Sequence, residues 1–279
     1  MLAVLLALGA LGLARWYKAW QAEAERRLVA RLEASLPLPL STDNGWSAGA
    51  RPVAHAFGAI GGEALTNSRE AFLANYARGF RVFEVDLTLT RDGALVASHD
   101  WDTPERFGRR GALTLAEFRW LPIAGRFSGL TAADVVRLVS THPDVHLILD
   151  LKGDFPDLLR RFVADARRVD SSALARVVPQ LYRERDLAAA VAVYPFRSYA
   201  YTLYRNSASV EEVVRFVRRT GVRVVVASES RFSPALARSL AAAGAVVYVH
   251  TINNPTQAAA YLRAGAHGVY TDTLLRVPP

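Results

Sequence analysis

The stretch Val82-Phe-Glu-Val-Asp-Leu-Thr-Leu-Thr-Arg-Asp-Gly-Ala-Leu-Val-Ala-Ser-His-Asp100 decides how the rest of the chain is read. Residues 82–88 alternate, so Val82, Glu84 and Asp86 share one face of a strand while Phe83, Val85 and Leu87 share the other. Two acids in the middle of so β-prone a run point to a site rather than to a solvated edge. Asp92-Gly93 then turns the chain back on itself, because Asp-Gly between β-formers is a strong hairpin signal. A two-residue hairpin makes its second arm antiparallel, so residues 94–98 are not the next strand of a parallel sheet. The return arm ends on His99, which brings an imidazole back toward the two acids.

Outward from this hairpin, short apolar runs alternate with helix-sized amphipathic segments. Strands are expected at 51–55, 82–87, 146–151, 176–181, 199–203, 223–227, 246–251 and 268–271. Helices are expected at 68–78, 132–141, 155–168, 185–193, 210–220, 234–243 and 256–264. Eight strands separated by helices call for an α/β fold of the (β/α)8 TIM-barrel kind. A doubly wound open sheet competes, but no glycine-rich nucleotide fingerprint follows the first strand. Residues 100–130 are too long for an ordinary connection and are expected to cover the site, bringing Phe107, Arg109, Arg110 and Arg126 with them.

The chain has 279 residues, 51% of them hydrophobic, enough for a large core. It has no cysteine, which excludes disulfides, thiolate metal sites and cysteine nucleophiles. Net charge is +8, nearly all of it beyond residue 50, which favours anionic partners such as phosphates or acidic lipid surfaces. The charge is dispersed with no basic-aromatic platform, so nucleic acid is not an expected partner. Only two lysines occur, Lys18 and Lys152, which draws attention to the second. Residues 1–20 hold an apolar run from Met1 to Ala14, then Arg15, Trp16, Tyr17, Lys18 and Trp20. The run is shorter than the roughly 20 residues of a membrane span, yet its flank resembles an interfacial belt. A hydrophobic N-terminal helix acting as signal or membrane anchor is expected there, with the protein membrane-anchored or extracytoplasmic. Residues 21–50 are expected to form a helix and a linker, and residues 51–279 the barrel domain.

In a barrel the C-terminal strand ends converge on one face, where a site is built. His55 closes the first expected strand, Glu84 and Asp86 the second, Asp150 and Lys152 the third. Three carboxylates with no cysteine and no histidine cluster suit a hard divalent cation, Ca²⁺ or Mg²⁺, bound through oxygen. His55 and His99 then remain as a general acid–base pair, the arrangement that suits phosphodiester cleavage. Lys152 would hold a phosphate oxygen, and His250, at the end of the seventh strand, would contact substrate. Asn67 reads as a helix N-cap, since Asn67-Ser-Arg-Glu70 has the shape of a capping box.

These motifs together resemble the glycerophosphodiester phosphodiesterase family of the phospholipase C-like phosphodiesterase superfamily. The correspondence runs through His55-Ala-Phe-Gly58, Asn67-Ser68, Glu84-Val-Asp86-Leu, Thr90-Arg-Asp-Gly93, His99-Asp100, Asp150-Leu-Lys152, His250-Thr-Ile-Asn253 and Gly265-Ala-His-Gly268-Val-Tyr-Thr-Asp272. The resemblance implies acid–base catalysis by His55 and His99, Ca²⁺ or Mg²⁺ held by Glu84, Asp86 and Asp150, and a phosphate contact from Lys152. The chain departs from the family pattern at three places: Ala56 stands for an arginine, Asp150 for a glutamate and His250 for a tryptophan. Asp150-Leu-Lys152 is also similar to the spider-venom phospholipase D branch. The expected activity is therefore metal-dependent hydrolysis of glycerophosphodiesters or phospholipid headgroups. Phospholipase D-like transfer giving a cyclic phosphate, or a membrane-tethered barrel that binds anions without turnover, stand as alternatives. Nothing in the sequence sets the oligomeric state.

Overall fold

The computed structural model describes residues 38–49 and 52–276, together with Glu23, Arg27, Ala30, Arg31, Ala34 and Leu36. Its strands are β1 Val53–Ala54, β2 Val82–Leu89, β3 Leu95–Ala97, β4 His146–Leu151, β5 Val177–Leu181, β6 Ala200–Thr202, β7 Val224–Ser228, β8 Val246–His250 and β9 Gly268–Thr271. All but β3 run parallel, in the order β1-β9-β8-β7-β6-β5-β4-β2, and a β1–β2 pairing closes the ring. The eight-stranded parallel barrel expected from the sequence is therefore the fold. Strand β3 pairs antiparallel with the far end of β2, Leu87 opposite Ala97 and Leu89 opposite Leu95. The arm thus stands outside the barrel count, as its Asp92-Gly93 turn requires.

The helices are α1 Arg69–Arg78, α2 Pro104–Phe107, α3 Leu115–Trp120, α4 Ala132–Thr141, α5 Phe155–Val169, α6 Glu184–Val193, α7 Val210–Thr220, α8 Pro234–Ala241 and α9 Pro255–Arg263. Helix α7 shows how local sequence sets their limits. Ser209 and Glu212 form a reciprocal capping box at its start, and Gly221, at φ 80°, ends it in a left-handed turn. Between those limits Val213, Phe216 and Val217 make the buried face.

Period-two alternation divides the apolar side chains between two cores. Phe83, Val85, Leu87, Leu147 and Leu149 point outward into the layer shared with the helices. Val53, Val82, Ile148, Val178, Ala200, Val224, Tyr248 and Tyr270 fill the barrel itself. On β2 and β4 the inward face changes chemistry along its length: apolar at Val82 and Ile148, acidic from Glu84 onward, with Asp86 paired in register with Asp150. The barrel is packed where its strands begin and polar where they end.

Trp46, only 3% exposed, belongs to the inner core. Its ring stacks on Tyr248 with centroids 5.9 Å apart, and its Nε1 donates to Ser198 Oγ at 2.9 Å. His267 Nε2 lies 2.7 Å from the Ser47 carbonyl, and Leu40 N donates to the Thr220 carbonyl at 2.8 Å. The compact unit accordingly begins at Pro39, and residues 41–49, expected as part of a linker, pack against the barrel. One tryptophan and a set of backbone and hydroxyl hydrogen bonds carry that packing, so composition alone reads as linker.

Two further expectations need correction. The first strand is only Val53–Ala54, and His55 already opens a turn, His55–Phe57, in which Ala56 has φ 47°. Residues 100–130 do not form an open cover. They fold as α2 and α3 around a small core of their own, where Phe107, Leu113, Phe118, Ile123 and Phe127 join Val96 of β3. The apolar run 1–20 lies outside the described residues. Among the described residues, no helix is long and apolar enough to cross a membrane.

Deleting the inner tryptophan removes both a stacked ring and a buried hydrogen bond. Trp46→Ala is expected to cost about 3–5 kcal/mol in urea unfolding. Trp120→Ala, at a side chain 85% exposed, should change stability by no more than about 0.5 kcal/mol.

Candidate active site

At the C-terminal end of the barrel a cavity of about 230 Å³ is lined by His55, Glu84, His99, Asp150, Lys152 and His250, with Gln180, Tyr182, Tyr204 and Arg205 among its further walls. Six of the seven site residues expected from the sequence therefore meet around one space. The seventh, Asp86, lies just beneath, buried and tied to Lys152.

Glu84, Asp86 and Asp150 present oxygens within 4.8 Å of one another, and all three residues are buried. Lys152 Nζ bridges two of them, 2.9 Å from Asp86 Oδ1 and 2.8 Å from Asp150 Oδ2. Glu84 Oε2 accepts from the Ala56 amide at 2.8 Å. Asp150 Oδ2 also accepts from Tyr182 Oη at 2.8 Å and Gln180 Nε2 at 3.1 Å, whereas Asp150 Oδ1 is buried with no hydrogen-bond partner among the described residues.

One ammonium does not balance three buried carboxylates, and their proton affinities record it. Burial, then the charge of Asp86, pushes the Glu84 carboxyl up to about 8. Burial also raises Asp150, despite Lys152 beside it. Asp86 goes the other way: burial opposes its charge, but Lys152, His99 and the Asn67 hydrogen bond outweigh that and hold it below the usual carboxylate range. An all-oxygen donor set, short of positive charge and with one orphaned buried oxygen, fits a hard divalent cation.

The two histidines are held alike. His55 Nδ1 lies 2.9 Å from Asp272 Oδ1, and His99 Nδ1 lies 2.8 Å from Asp100 Oδ2. With Nδ1 committed to an aspartate, Nε2 is the nitrogen left for the cavity. Burial works against charge on His55, but the Asp272 hydrogen bond and the fields of Glu84 and Asp86 prevail and raise its pKa to about 9. Asp100 is anchored by the Asp102 and Thr103 amides and the Thr103 hydroxyl, each at 2.9 Å. His250 differs: burial, then the positive His55 and Lys152, lowers it to about 4, so its ring is neutral, and its Nε2 is buried without a partner among the described residues.

Backbone in an unusual conformation positions the first histidine. Ala56 and Phe57 are consecutive left-handed residues, at φ 47° and 69°, followed by Gly58 at φ 83°. Such residues cost about 1–2 kcal/mol each, so something must hold them. Asn75 Nδ2 does so, donating to the Phe57 carbonyl at 3.0 Å and the Ala59 carbonyl at 3.1 Å. A Cβ at Gly58 would stand 2.6 Å from that same nitrogen. His99 is fixed from the other side, where Ser98 N donates to the Asp86 carbonyl at 3.1 Å and Trp101 Nε1 to the Leu89 carbonyl at 2.9 Å.

Asn67 is not the helix cap that its motif suggests. Ser68 caps α1 by accepting from Ala71 N, while Asn67, at φ 50°, donates from Nδ2 to Asp86 Oδ2 at 2.9 Å and accepts from Asp86 N at 3.0 Å. Sequence reading also gave no role to Asp272, Gln180, Tyr182 or Asn253. Asn253 orients Asp272, donating to its Oδ2 at 2.6 Å and accepting from its amide at 2.7 Å. Gln180 had a signal available: it is a buried amide on the otherwise apolar strand β5. None of residues 100–130 lines the cavity; the segment reaches the site through Asp100, which holds His99.

Residues 59–275 match the model of the glycerophosphoryl diester phosphodiesterase family. A curated protein of Mycobacterium tuberculosis named "Probable glycerophosphodiester phosphodiesterase 2" is 26% identical over 231 residues, covering 74% of this chain and 81% of that one. Among solved structures, a phosphodiesterase of Oleispira antarctica in complex with the product sn-glycerol-3-phosphate superposes with a TM-score of 0.68 at 20% identity, over 80% of this chain and 92% of that one. A glycerophosphodiester phosphodiesterase of Parabacteroides distasonis gives 0.66 at 19% identity, over 80% and 92%.

Removing the charge on Asp272 takes away the strongest support for a proton on His55. In buffer containing a chelator, Asp272→Asn is expected to lower the His55 midpoint from about 9 by roughly one unit or more, read from imidazole nitrogen shifts by NMR. An unmoved midpoint would show that the acid cluster alone sets it.

Proposed function

This chain belongs to the glycerophosphoryl diester phosphodiesterase family and is a phosphoric diester hydrolase, and we propose that it cleaves small glycerophosphodiesters by acid–base catalysis between His55 and His99. One observation carries this reading: two imidazoles, each with Nδ1 held by its own aspartate, line a single cavity together with a buried cluster of carboxylates. His55, favoured as imidazolium by Asp272, gives its proton to the departing alcohol oxygen. His99, oriented by an ionised Asp100, takes the proton from the attacking oxygen. Lys152, at the cavity wall between Asp86 and Asp150, steadies a non-bridging phosphate oxygen as a point charge. His250, neutral and on the cavity wall, meets substrate without adding charge.

Glu84, Asp86 and Asp150 would hold the cation, Ca²⁺ or Mg²⁺. When bound, a divalent cation offsets the phosphate's negative charge and polarises its P–O bonds. The sn-glycerol-3-phosphate carried by the Oleispira antarctica phosphodiesterase supports glycerol phosphate as the retained half of the diester. A cavity of about 230 Å³ suits a deacylated diester better than a phospholipid with its acyl chains.

His55→Ala and His99→Ala should each lower kcat for glycerophosphocholine by roughly 10²–10⁴-fold. A chelator should abolish turnover, and Ca²⁺ or Mg²⁺ should restore it. Turnover that survives both substitutions and the chelator would defeat the mechanism. Phosphorus NMR of the product separates the reactions: a monoester means hydrolysis, a cyclic diester means phospholipase D-like transfer, and binding with no product means a non-catalytic anion binder. We further propose that residues 1–20 place the barrel at a membrane or beyond it. A fusion of that segment to alkaline phosphatase, which matures only outside the cytoplasm, should then be active, and a silent fusion would place the barrel in the cytoplasm.

A further inference from the structure

The cavity has one cation that the catalytic reading leaves unused. Arg205 lies three residues beyond the end of β6, in the turn that follows that strand. It therefore stands outward of Asp150, which lies within β4. Its guanidinium sits 5.8 Å from the ring centroids of both Tyr182 and Tyr204. Tyr182 connects this outer level to the inner one, since its hydroxyl donates to Asp150 at 2.8 Å. Tyr204 meets His250 edge to face, with centroids 5.5 Å apart.

The other cationic groups on the cavity wall are engaged. Lys152 bridges Asp86 and Asp150, His55 holds Asp272, and His99 holds Asp100. Among the described residues, Arg205 makes no hydrogen bond or ion pair; its contacts are the two aromatic rings. A guanidinium resting against rings keeps its planar edge of N–H donors available, and that edge matches a carboxylate or phosphate bidentately.

We propose that Arg205, with Tyr182 and Tyr204 as its platform, forms a subsite for an anionic group on the alcohol half of the diester, beyond the scissile phosphate. This inference rests on the phosphodiesterase reading and extends it to the class of substrate. A head alcohol bearing a carboxylate meets the guanidinium's fork, whereas one bearing only an ammonium meets a like charge at the cavity mouth. The enzyme is then selective for alcohol moieties that carry a carboxylate over those that carry only an ammonium.

Glycerophosphoserine and glycerophosphoethanolamine differ by a single carboxylate and so isolate the contact. The full-length wild type should give the higher kcat/KM for the serine diester. Arg205→Ala should lower the serine-to-ethanolamine ratio at least tenfold, mainly through KM, as expected when a binding contact common to ground and transition states is lost. Arg205→Glu should invert the ratio, and Arg205→Lys should keep part of it. Thermal unfolding of each variant should match the wild type, since Arg205 is exposed. A ratio unchanged in Arg205→Ala overturns the subsite, and so does an equal loss on both diesters, which would place the guanidinium on the shared phosphate. If the wild type hydrolyses both diesters and only the ratio fails to respond, the subsite alone is wrong. If it hydrolyses neither, the phosphodiesterase reading falls with it.

Discussion

Three carboxylates buried within 4.8 Å of one another are what the rest of the catalytic end is built to tolerate. Ionised acids out of water are destabilising unless positive charge or hydrogen-bond donors surround them. The chain supplies five such donors from four places: Lys152 from β4's end, Asn67 from the turn before α1, the Ala56 amide from a left-handed turn, and Gln180 and Tyr182 from the end of β5. Even so, Glu84 and Asp150 remain raised and one oxygen of Asp150 has no partner among the described residues. The cluster stays short of positive charge, which is what would let it hold another cation.

Most of the architecture was legible because period-two alternation and the Asp92-Gly93 turn are local signals. Inward acids on β2 and β4 could be read directly, and the hairpin rule kept β3 out of the ring. What escaped was set by contacts distant in sequence. Asn67 satisfies a capping motif on paper, yet its side chain is committed to Asp86, and Ser68 next to it does the capping. Asp272 ends a motif legible in the sequence, but its role is set only when the barrel closes and brings it against His55, 217 residues away. The turn after β1 reads as more strand because nothing local betrays that Asn75 will hold Ala56 and Phe57 in left-handed conformations. Trp46 looks like part of a linker until Tyr248 and Ser198 are beside it.

The barrel divides its work along its axis. Where strands begin, inward side chains are apolar and Trp46 completes the packing. Where they end, the same inward positions carry the acids, Gln180 and Tyr182. Stability and chemistry thus use the same strands at different heights, which is why a substitution low in the barrel and one high in it report on different properties.

The insertion between β3 and α4 has a small core of its own, yet it grips the loop that carries the first histidine. Ile60 packs against that core, and Arg126 donates to the Gly61 carbonyl at 3.3 Å and to Glu63 at 3.1 Å. Ser128, at the insertion's far end, binds Glu70 at the start of α1. A cluster this small opens more readily than the barrel it rests on. The segment from His55 to Asn67 therefore has two supports: its ends are tied to the barrel through Asp272, Glu84 and Asp86, and its middle, Ile60 to Glu63, leans on the insertion. A substitution in the small core of the insertion thus reaches the first histidine only through the Ile60–Glu63 turn, at one remove from the ring of strands.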